Sequence, residues 1–573
     1  MNRPQPWSGT ADGSLIRHAA TQAAADPDRP LFSHVRFGPG GEEARSRLTR
    51  AQTIESARSL GGRLAMVADP GERVAILAPE GLDYVIGFIG AMYAGCIAVP
   101  LFAPTSLSSN ERLGAALRDC EPTVWLVLRK DVRDAAELLS DGTLPPPREI
   151  VPIDGDYARW GEGFEGRHCD LAYLQYTSGS TRSPRGVMVS HANVIANVRQ
   201  LVEAFGATED GTCVGWLPLH HDMGLVLTVC VPLVTGLSSE FMDPVSFLKR
   251  PARWLSLLSR PGPVYTAAPN FAYDLLLRRV QPEETHVDLS RVKVFLNGSE
   301  RVRAETLRRF TKAFAPHGVT PEVLRPSYGL AEATVFAATT ETGGHPTARD
   351  FSREALEKGV AQPASEDTVS LVSCGRPIGQ QVRIVDPDTR EPLVPGNVGE
   401  IWLRGPNIAQ GYWARAEESA ETFGAVLDGV PGWLRTGDLG FEYDGDVFVS
   451  GRLKDLIIVD GRNHYPDDIE ATIRETAPDL RPDRMAAFEV TRDGRTGVVV
   501  VAERTGRAPS AERDIRALEA RVRAAVSERH GTTLLAFDVV RPGTLNVTSS
   551  GKVARGACRR AYLAGHIAPE ADR

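Results

Sequence analysis

Cysteine is scarce in this chain: seven cysteines are spread over 573 residues, and no two of them form a C-x-x-C pair. This spacing argues against a zinc ribbon or a disulfide framework and favours reduced thiols. The first residues, MNRPQPWSGTADGS, lack the apolar segment of a secretory signal peptide. We therefore expect a cytoplasmic protein.

A basic stripe is also missing. The chain has 65 Lys and Arg against 73 Asp and Glu, with a net charge of -8, and its basic residues are scattered. Nucleic acid is therefore not expected as a partner. The stretch from Tyr84 to Pro104 carries no charge, but it is broken by Gly95 and Pro100. We predict a helix ending near Ala94 and a buried strand at 96–99, and no transmembrane segment.

What the sequence does contain is a regular alternation of short apolar runs, such as RVAILAP (73–79) and VYTAAP (264–269), with helical stretches. This rhythm is typical of α/β proteins with largely parallel sheets. From about Gly375 the strands are joined by Asp-Pro and Pro-Gly turns, which predicts a small antiparallel β subdomain over 375–453. We predict a large domain over 1–453 and a small C-terminal domain over 454–573, containing a strand pair, a charged helix and a final strand.

The loop TSGSTRSPRG, at 177–186, combines hydroxyl groups, glycine and arginine. Such a loop leaves backbone N–H groups uncovered, so it suits an anion such as phosphate, although alone it is equally typical of a solvated turn. The spacing of Gly179 and Gly186 is not that of a Walker A motif. Further polar segments follow in the chain: HHDMGL (220–225), YGLAE (328–332), TGD (436–438), GRLKD (451–455) and SSGK (549–552).

The order TSGST, YGLAE, TGD, GRLKD and SSGK resembles that of the adenylate-forming enzymes, the superfamily of acyl-CoA synthetases, luciferases and nonribosomal adenylation domains. Arg182, the HHDMGL segment and the long stretch after YGLAE resemble, more narrowly, the fatty acyl-AMP ligases. The resemblance implies a large N-terminal domain of α/β subdomains with a small β-barrel-like subdomain, followed by a small mobile α+β domain.

The same resemblance implies an activity. The enzyme would use ATP and Mg²⁺ to activate a fatty acid to acyl-AMP with release of pyrophosphate. It would then pass the acyl group to the phosphopantetheine thiol of an acyl carrier protein or a polyketide or nonribosomal synthase. Because the chain stops soon after SSGK, we expect this acceptor to be supplied in trans. A CoA ligase and a catalytically inactive binding homologue are the alternatives.

The resemblance also implies roles for individual residues. Lys552 would bridge the carboxylate and the α-phosphate, Glu332 would bind Mg²⁺, and His221 would stand at the mouth of the acyl tunnel. Lys454 would be the hinge. The residues implied in ATP binding are Thr177, Ser178, Gly179, Ser180, Thr181, Asn297, Gly298, Ser299, Tyr328, Gly329, Asp438 and Arg452.

Within the ATP-binding set, the hydroxyl loop at 177–181 would cradle the β- and γ-phosphates, and Tyr328 would stack on the adenine. Asp438 would accept hydrogen bonds from the ribose hydroxyls, with Arg452 as a nearby donor. Many members of the superfamily carry lysine where Arg185 stands and threonine where Ala331 stands. Alanine cannot donate a hydrogen bond to the α-phosphate.

Residues 337–372 resemble the insertion that marks the acyl-AMP ligases, although one inserted segment is also compatible with a neutral surface loop. Within it, the segment between Thr340 and Ser370 is hydrophilic and carries Gly343, Gly344, Pro346 and Pro363. We therefore expect it to lie outside the core and to tolerate deletion. We also expect it to decide the acceptor by restraining the C-terminal domain.

Overall fold

Two sheets with mostly parallel strands form the body of the chain in the computed structural model. The structure describes residues 13–104, 107–140, 142–177, 184–459, 461–492, 495–505, 512–547 and 552–567.

The first sheet has six strands, five of them parallel. The last two pair as an antiparallel hairpin whose connecting loop is the hydroxyl-rich segment. In spatial order the strands are Glu149–Pro152, Val124–Val127, Arg73–Ile76, Ile97–Pro100, Leu171–Tyr176 and Gly186–Ser190.

The second sheet has nine strands, with a parallel centre and antiparallel edges. Its order is Arg376–Pro377, Ala338–Thr339, Leu324–Tyr328, Val292–Asn297, Val264–Ala268, Thr212–Gly215, Ser238–Phe241, Pro30–Phe37 and Glu43–Thr49. Central strands such as Val264–Ala268 are buried along their whole length. This burial is expected of parallel strands, because helices cover both faces of the sheet.

Helices connect and cover the strands of both sheets. Those that precede the antiparallel subdomain are Leu15–Ala25, Arg50–Leu64, Leu82–Tyr93, Leu107–Cys120, Val132–Glu137, Ala158–Gly161, His191–Phe205, Asp222–Leu225, Val231–Thr235, Pro244–Lys249, Ala252–Leu258, Asn270–Arg279, Ala304–Phe314 and Arg353–Glu357. A π-helical turn, Val226–Cys230, joins two of them into one bent helix.

The uncharged run at 84–104 folds as predicted. The helix Leu82–Tyr93 ends before Gly95, which takes a left-handed φ of +73°, and the buried strand Ile97–Pro100 follows. Among the residues that the structure describes, no helix has both the length and the apolar character needed to cross a membrane.

An antiparallel sheet follows the parallel ones, as the turn residues predict. Its strands are Gln381–Val385, Gly399–Arg404, Val430–Tyr443, Ala425–Leu427 and Asp446–Arg452, with the helix Ala416–Phe423 against it. The long strand Val430–Tyr443 carries the TGD motif and pairs with Asp446–Arg452.

The C-terminal part of the chain has its own sheet and core. The predicted strand pair is Leu480–Arg492 with Arg495–Arg504, and the final strand, Leu534–Val540, joins it in parallel. The hairpin Ile457–Val459 with Arg462–His464 and the helices Pro466–Thr476, Glu512–His530 and Arg555–Leu563 complete this part. These observations confirm the fold class. The predicted boundary at Lys454 lies in the helical turn Leu453–Asp455, and the division at that point stays a prediction.

Residues 337–372 differ from the expectation of a segment outside the core. They form a hairpin, Ala348–Ser352 with Thr368–Val372, and the short helix Arg353–Glu357. Phe351 is fully buried, with ring centroids 5.0 Å from Phe441 and 5.5 Å from Phe448. The expectation is wrong because the glycines and prolines lie in connections, while a few apolar side chains point inward: Phe351, Leu356, Val369 and Leu371.

Substitution of Phe351 tests whether this segment is part of the core. Phe351→Ala should lower the free energy of unfolding by about 3–5 kcal/mol, because it empties the space that a buried ring fills. Urea unfolding followed by tryptophan fluorescence measures the change. Phe351→Leu is the control, because it keeps most of the volume and should cost clearly less. A loss below about 1 kcal/mol for the alanine variant would contradict the assignment of Phe351 to the core.

Candidate active site

A polar cavity of about 350 Å³ lies at the carboxyl ends of the strands Val292–Asn297 and Leu324–Tyr328. Open α/β sheets place their ligands at such edges. Its lining residues include Asp222, Met223, Gly298, Ser299, Ser327 and Gly329. Gly329 has no room for a side chain, because a Cβ there would lie 1.8 Å from the carbonyl oxygen of Val335.

Asn297, predicted to contact ATP, lies behind this cavity. Its side chain is fully buried, and Nδ2 donates to Asn270 Oδ1 at 3.4 Å. Its Oδ1 has no hydrogen-bond partner among the described residues. The side chain therefore anchors the strand end from which Gly298 and Ser299 extend.

Tyr328, Asp438 and Arg452 are linked by one hydrogen bond and one ion pair, both to the Asp438 carboxylate. The Tyr328 hydroxyl donates to Asp438 Oδ2 at 2.9 Å, and Arg452 Nε lies 3.2 Å from Asp438 Oδ1. Burial and the Asp438 carboxylate raise the pKa of Tyr328, so the hydroxyl keeps its proton. The Asp438 charge also raises the pKa of Arg452. Asp438 and Arg452 meet because they are directly opposite each other in the hairpin of Val430–Tyr443 with Asp446–Arg452.

Glu332 lies in the single helical turn Ala331–Ala333 and has a partner that the sequence did not reveal. The hydroxyl of Tyr412 donates to Glu332 Oε1 at 2.9 Å. The Arg185 guanidinium lies 5.2 Å from the centre of the Tyr412 ring and pairs with Glu418. Tyr412 is 80 residues from Glu332, so only the fold brings the two together.

Lys552 reaches this site from the C-terminal part of the chain. Its Nζ donates to the carbonyl oxygen of Ser299, whose backbone has a left-handed φ of +65°. Burial lowers the pKa of Lys552, and the carboxylates of Glu300 and Asp222 oppose this shift. The lysine ammonium therefore lies in a partly dehydrated position beside two acidic groups.

His221 immediately precedes the helix Asp222–Leu225, and its ring centroid lies 4.7 Å from that of His220. Burial holds the pKa of His221 well below its usual value, and the nearby His220 and Lys552 act in the same direction. The imidazole is therefore neutral at pH 7. Burial also raises the pKa of the neighbouring Asp222.

The hydroxyl-rich loop is described only at its ends. Thr177 follows the strand Leu171–Tyr176, and its N–H donates to the Arg185 carbonyl oxygen at 3.3 Å. Ser178, Gly179, Ser180 and Thr181 lie outside the described residues. Lys454 is exposed in the turn that follows Arg452.

A second cavity adjoins the polar one, and Leu201, Met223 and Leu227 line both. Its walls come from the helix His191–Phe205, the strands Thr212–Gly215 and Val264–Ala268, and the bent helix at 222–235. None of the described residues that line it is charged. The sequence alone did not reveal this cavity, because its walls come from distant segments.

Comparison with known proteins agrees with this geometry. Residues 19–413 match the model of the AMP-binding enzyme family. The long-chain-fatty-acid–AMP ligase FadD26 of Mycobacterium tuberculosis is 41% identical over 569 residues, which cover 96% of each chain. FadD23 of the same species, also named a long-chain-fatty-acid–AMP ligase, is 40% identical over 553 residues and 94% of each chain.

A solved structure extends the match to the whole fold. The fatty acid AMP ligase from Legionella pneumophila has a TM-score of 0.74 and 31% identity, covering 97% of each chain. A fatty acyl-adenylate ligase from the same species, solved with acyl adenylate and pyrophosphate, has the same TM-score and identity and covers 97% of this chain and 96% of its own. The chain therefore belongs to the AMP-binding enzyme family and, within it, to the fatty-acid–AMP ligases.

Proposed function

We propose that this enzyme activates a fatty acid with ATP to give acyl-AMP and pyrophosphate, and then transfers the acyl group to the phosphopantetheine thiol of a carrier protein or synthase. The observation that carries the proposal is the junction of the two cavities. A polar cavity and an uncharged one share Leu201, Met223 and Leu227, and Lys552 is beside the polar cavity at Ser299. This arrangement suits a molecule with an anionic head and a hydrocarbon tail.

The residues around the polar cavity suit the first half-reaction. The fatty-acid carboxylate attacks the α-phosphorus, an oxygen–phosphorus bond forms, and pyrophosphate leaves. The Lys552 ammonium lies between the two anions and offsets their repulsion. Asp438, held by Tyr328 and Arg452, has acceptor capacity left for the ribose hydroxyls.

Glu332 is the residue that would hold Mg²⁺. Magnesium in nucleotide sites is usually bound by one or two carboxylates together with phosphate oxygens. No group of three His, Cys, Asp or Glu able to hold a metal occurs among the described residues, and the single carboxylate of Glu332 fits the phosphate-assisted mode. When bound, Mg²⁺ neutralises charge on the leaving pyrophosphate. Tyr412 would orient the carboxylate through its 2.9 Å hydrogen bond.

The acceptor is decided, in this proposal, by contacts between residues 337–372 and the C-terminal part of the chain. Glu357 lies 3.8 Å from Arg462 Nη1 and 3.6 Å from His464 Nδ1. Both partners follow Lys454, about which the C-terminal domain would rotate between the half-reactions. The ion pair of Glu357 with Arg462, together with the neighbouring His464, would favour one orientation of the C-terminal domain. The cytoplasmic location is part of the same proposal and is supported by seven free cysteines.

Lys552→Ala tests the catalytic assignment. We expect pyrophosphate release to fall by about 10²–10³-fold, because a positioned charge at the reacting groups is removed. The melting temperature should stay close to that of the parent. Lys312→Ala, an exposed lysine on the helix Ala304–Phe314, is the control and should keep full activity. Near-parental pyrophosphate release by Lys552→Ala would remove this lysine from the mechanism.

Glu357→Gln tests the acceptor assignment without deleting core residues. If the contacts of Glu357 with Arg462 and His464 favour one orientation of the C-terminal domain by about 1.4 kcal/mol, their loss changes the ratio of orientations about tenfold. We expect acyl-AMP formation to persist and acyl-CoA, measured by mass spectrometry, to increase about tenfold. Glu354→Gln is the matched control, because Glu354 lies on the same helix but pairs with the exposed Lys358. If both variants yield as little acyl-CoA as the parent, acceptor choice lies elsewhere, such as in the pantetheine channel.

A further inference from the structure

We propose that the stacked rings of Phe205 and Tyr265 close the far end of the apolar cavity and set the longest acyl chain that the enzyme activates. This inference rests on the proposed function, because the cavity must hold the hydrocarbon part of the substrate. The substrate class it names is hydrocarbon chains without a charged substituent, up to a fixed length.

The positions of both rings follow from the elements that carry them. Leu201 lines both cavities, whereas Phe205 lines only the apolar one and lies one helical turn, about 6 Å, farther along the helix His191–Phe205. Ala268 pairs with Asn297, next to the polar cavity, and Tyr265 lies three residues earlier in its strand, about 10 Å away. Helix and strand therefore place the two rings at the same remote end.

The rings of Phe205 and Tyr265 form the end wall of the cavity and are held in place by their neighbours. Their planes are 11° from parallel, with centroids 6.2 Å apart, and both side chains are buried. The Tyr265 hydroxyl accepts a hydrogen bond from the Thr208 N–H at 3.1 Å. Gly211 lies against the ring, because a Cβ there would be 2.5 Å from Tyr265 Cε2. Because these neighbours pack closely around it, the Tyr265 ring cannot easily rotate or move away from the cavity.

Solvent begins just behind this wall. Ala207 lines the same end of the cavity and is partly exposed, and Gly206 beside it is exposed. A chain that extends past Phe205 would therefore pass into water. Removing the ring should open this exit, whereas the wild-type wall excludes the last methylenes of a longer chain.

The chemistry of the cavity wall limits the substrate as well. Thr266 lines the cavity, but its hydroxyl is already occupied, since it donates to the Val214 carbonyl oxygen at 2.7 Å and accepts from Trp254 Nε1 at 3.1 Å. A carboxylate in the middle of the acyl chain would lose its hydration without gaining a charged partner, because none of the described lining residues is charged. Acyl chains without a charged substituent are therefore favoured.

Phe205→Ala tests the wall. Parent and variant are compared by pyrophosphate release on a series of unbranched saturated fatty acids. One added methylene in an apolar pocket changes kcat/KM by about 10–200-fold. We therefore expect kcat/KM for the first acids beyond the parent's limit to rise at least about tenfold in the variant, with shorter acids still activated. A second variant, Ala267→Leu, fills the middle of the cavity and should move the limit toward shorter acids.

The controls separate this inference from the proposed function. Phe37→Ala removes a partly buried ring outside the cavity and should leave the chain-length limit where it is. If the parent activates fatty acids but neither cavity variant moves the limit, the wall assignment is wrong and the proposed function stands. If the parent forms no acyl-AMP from any acid of the series, both are overturned. A folded Ala267→Leu that moves the limit supports the cavity assignment even where Phe205→Ala fails to fold.

Discussion

The proposed site depends on one contact between the two parts of the chain. In it, the Lys552 ammonium donates a hydrogen bond to the Ser299 carbonyl oxygen. A charge that is partly removed from water is costly unless it gains partners, and here the lysine gains Ser299 with Glu300 and Asp222 nearby. In the proposed reaction, a carboxylate and a phosphate in the adjoining cavity would give the same ammonium two anionic partners. The contact would then link the position of the C-terminal part of the chain to the reaction.

Other charge pairs hold the same arrangement. Arg301 pairs with Asp468, and Arg278 lies 3.2 Å from Asp483, so two arginines of the large part contact acidic residues of the C-terminal part. Glu357 adds pairs with Arg462 and His464. A partly exposed pair such as Arg278–Asp483 contributes little individually. Weak pairs suit the proposed rotation of the C-terminal domain between the two half-reactions, because each pair is broken at low cost.

Much of the fold and part of the site follow from the sequence. Short apolar runs predict the parallel strands, and Gly95 predicts the break that removes an apparent membrane span. The motifs TGD and GRLKD place Asp438 opposite Arg452. Tyr412, Phe205 and Tyr265 were not predicted, because their roles depend on partners that only the tertiary fold supplies. The core position of Phe351 was not predicted, because the residues around it are mostly polar. The composition of a segment is an average, whereas burial differs from one residue to the next.

Analysis of the reaction products is the most direct test of the proposed two-step reaction. The enzyme is incubated with ATP, Mg²⁺ and a mixture of fatty acids, either alone, with CoA or with a phosphopantetheinylated carrier protein, and the products are identified by mass spectrometry. We predict acyl-AMP and pyrophosphate in every mixture, and acyl transfer to the carrier protein rather than to CoA. Release of ADP and phosphate, or no acyl-AMP with any fatty acid, would contradict this prediction.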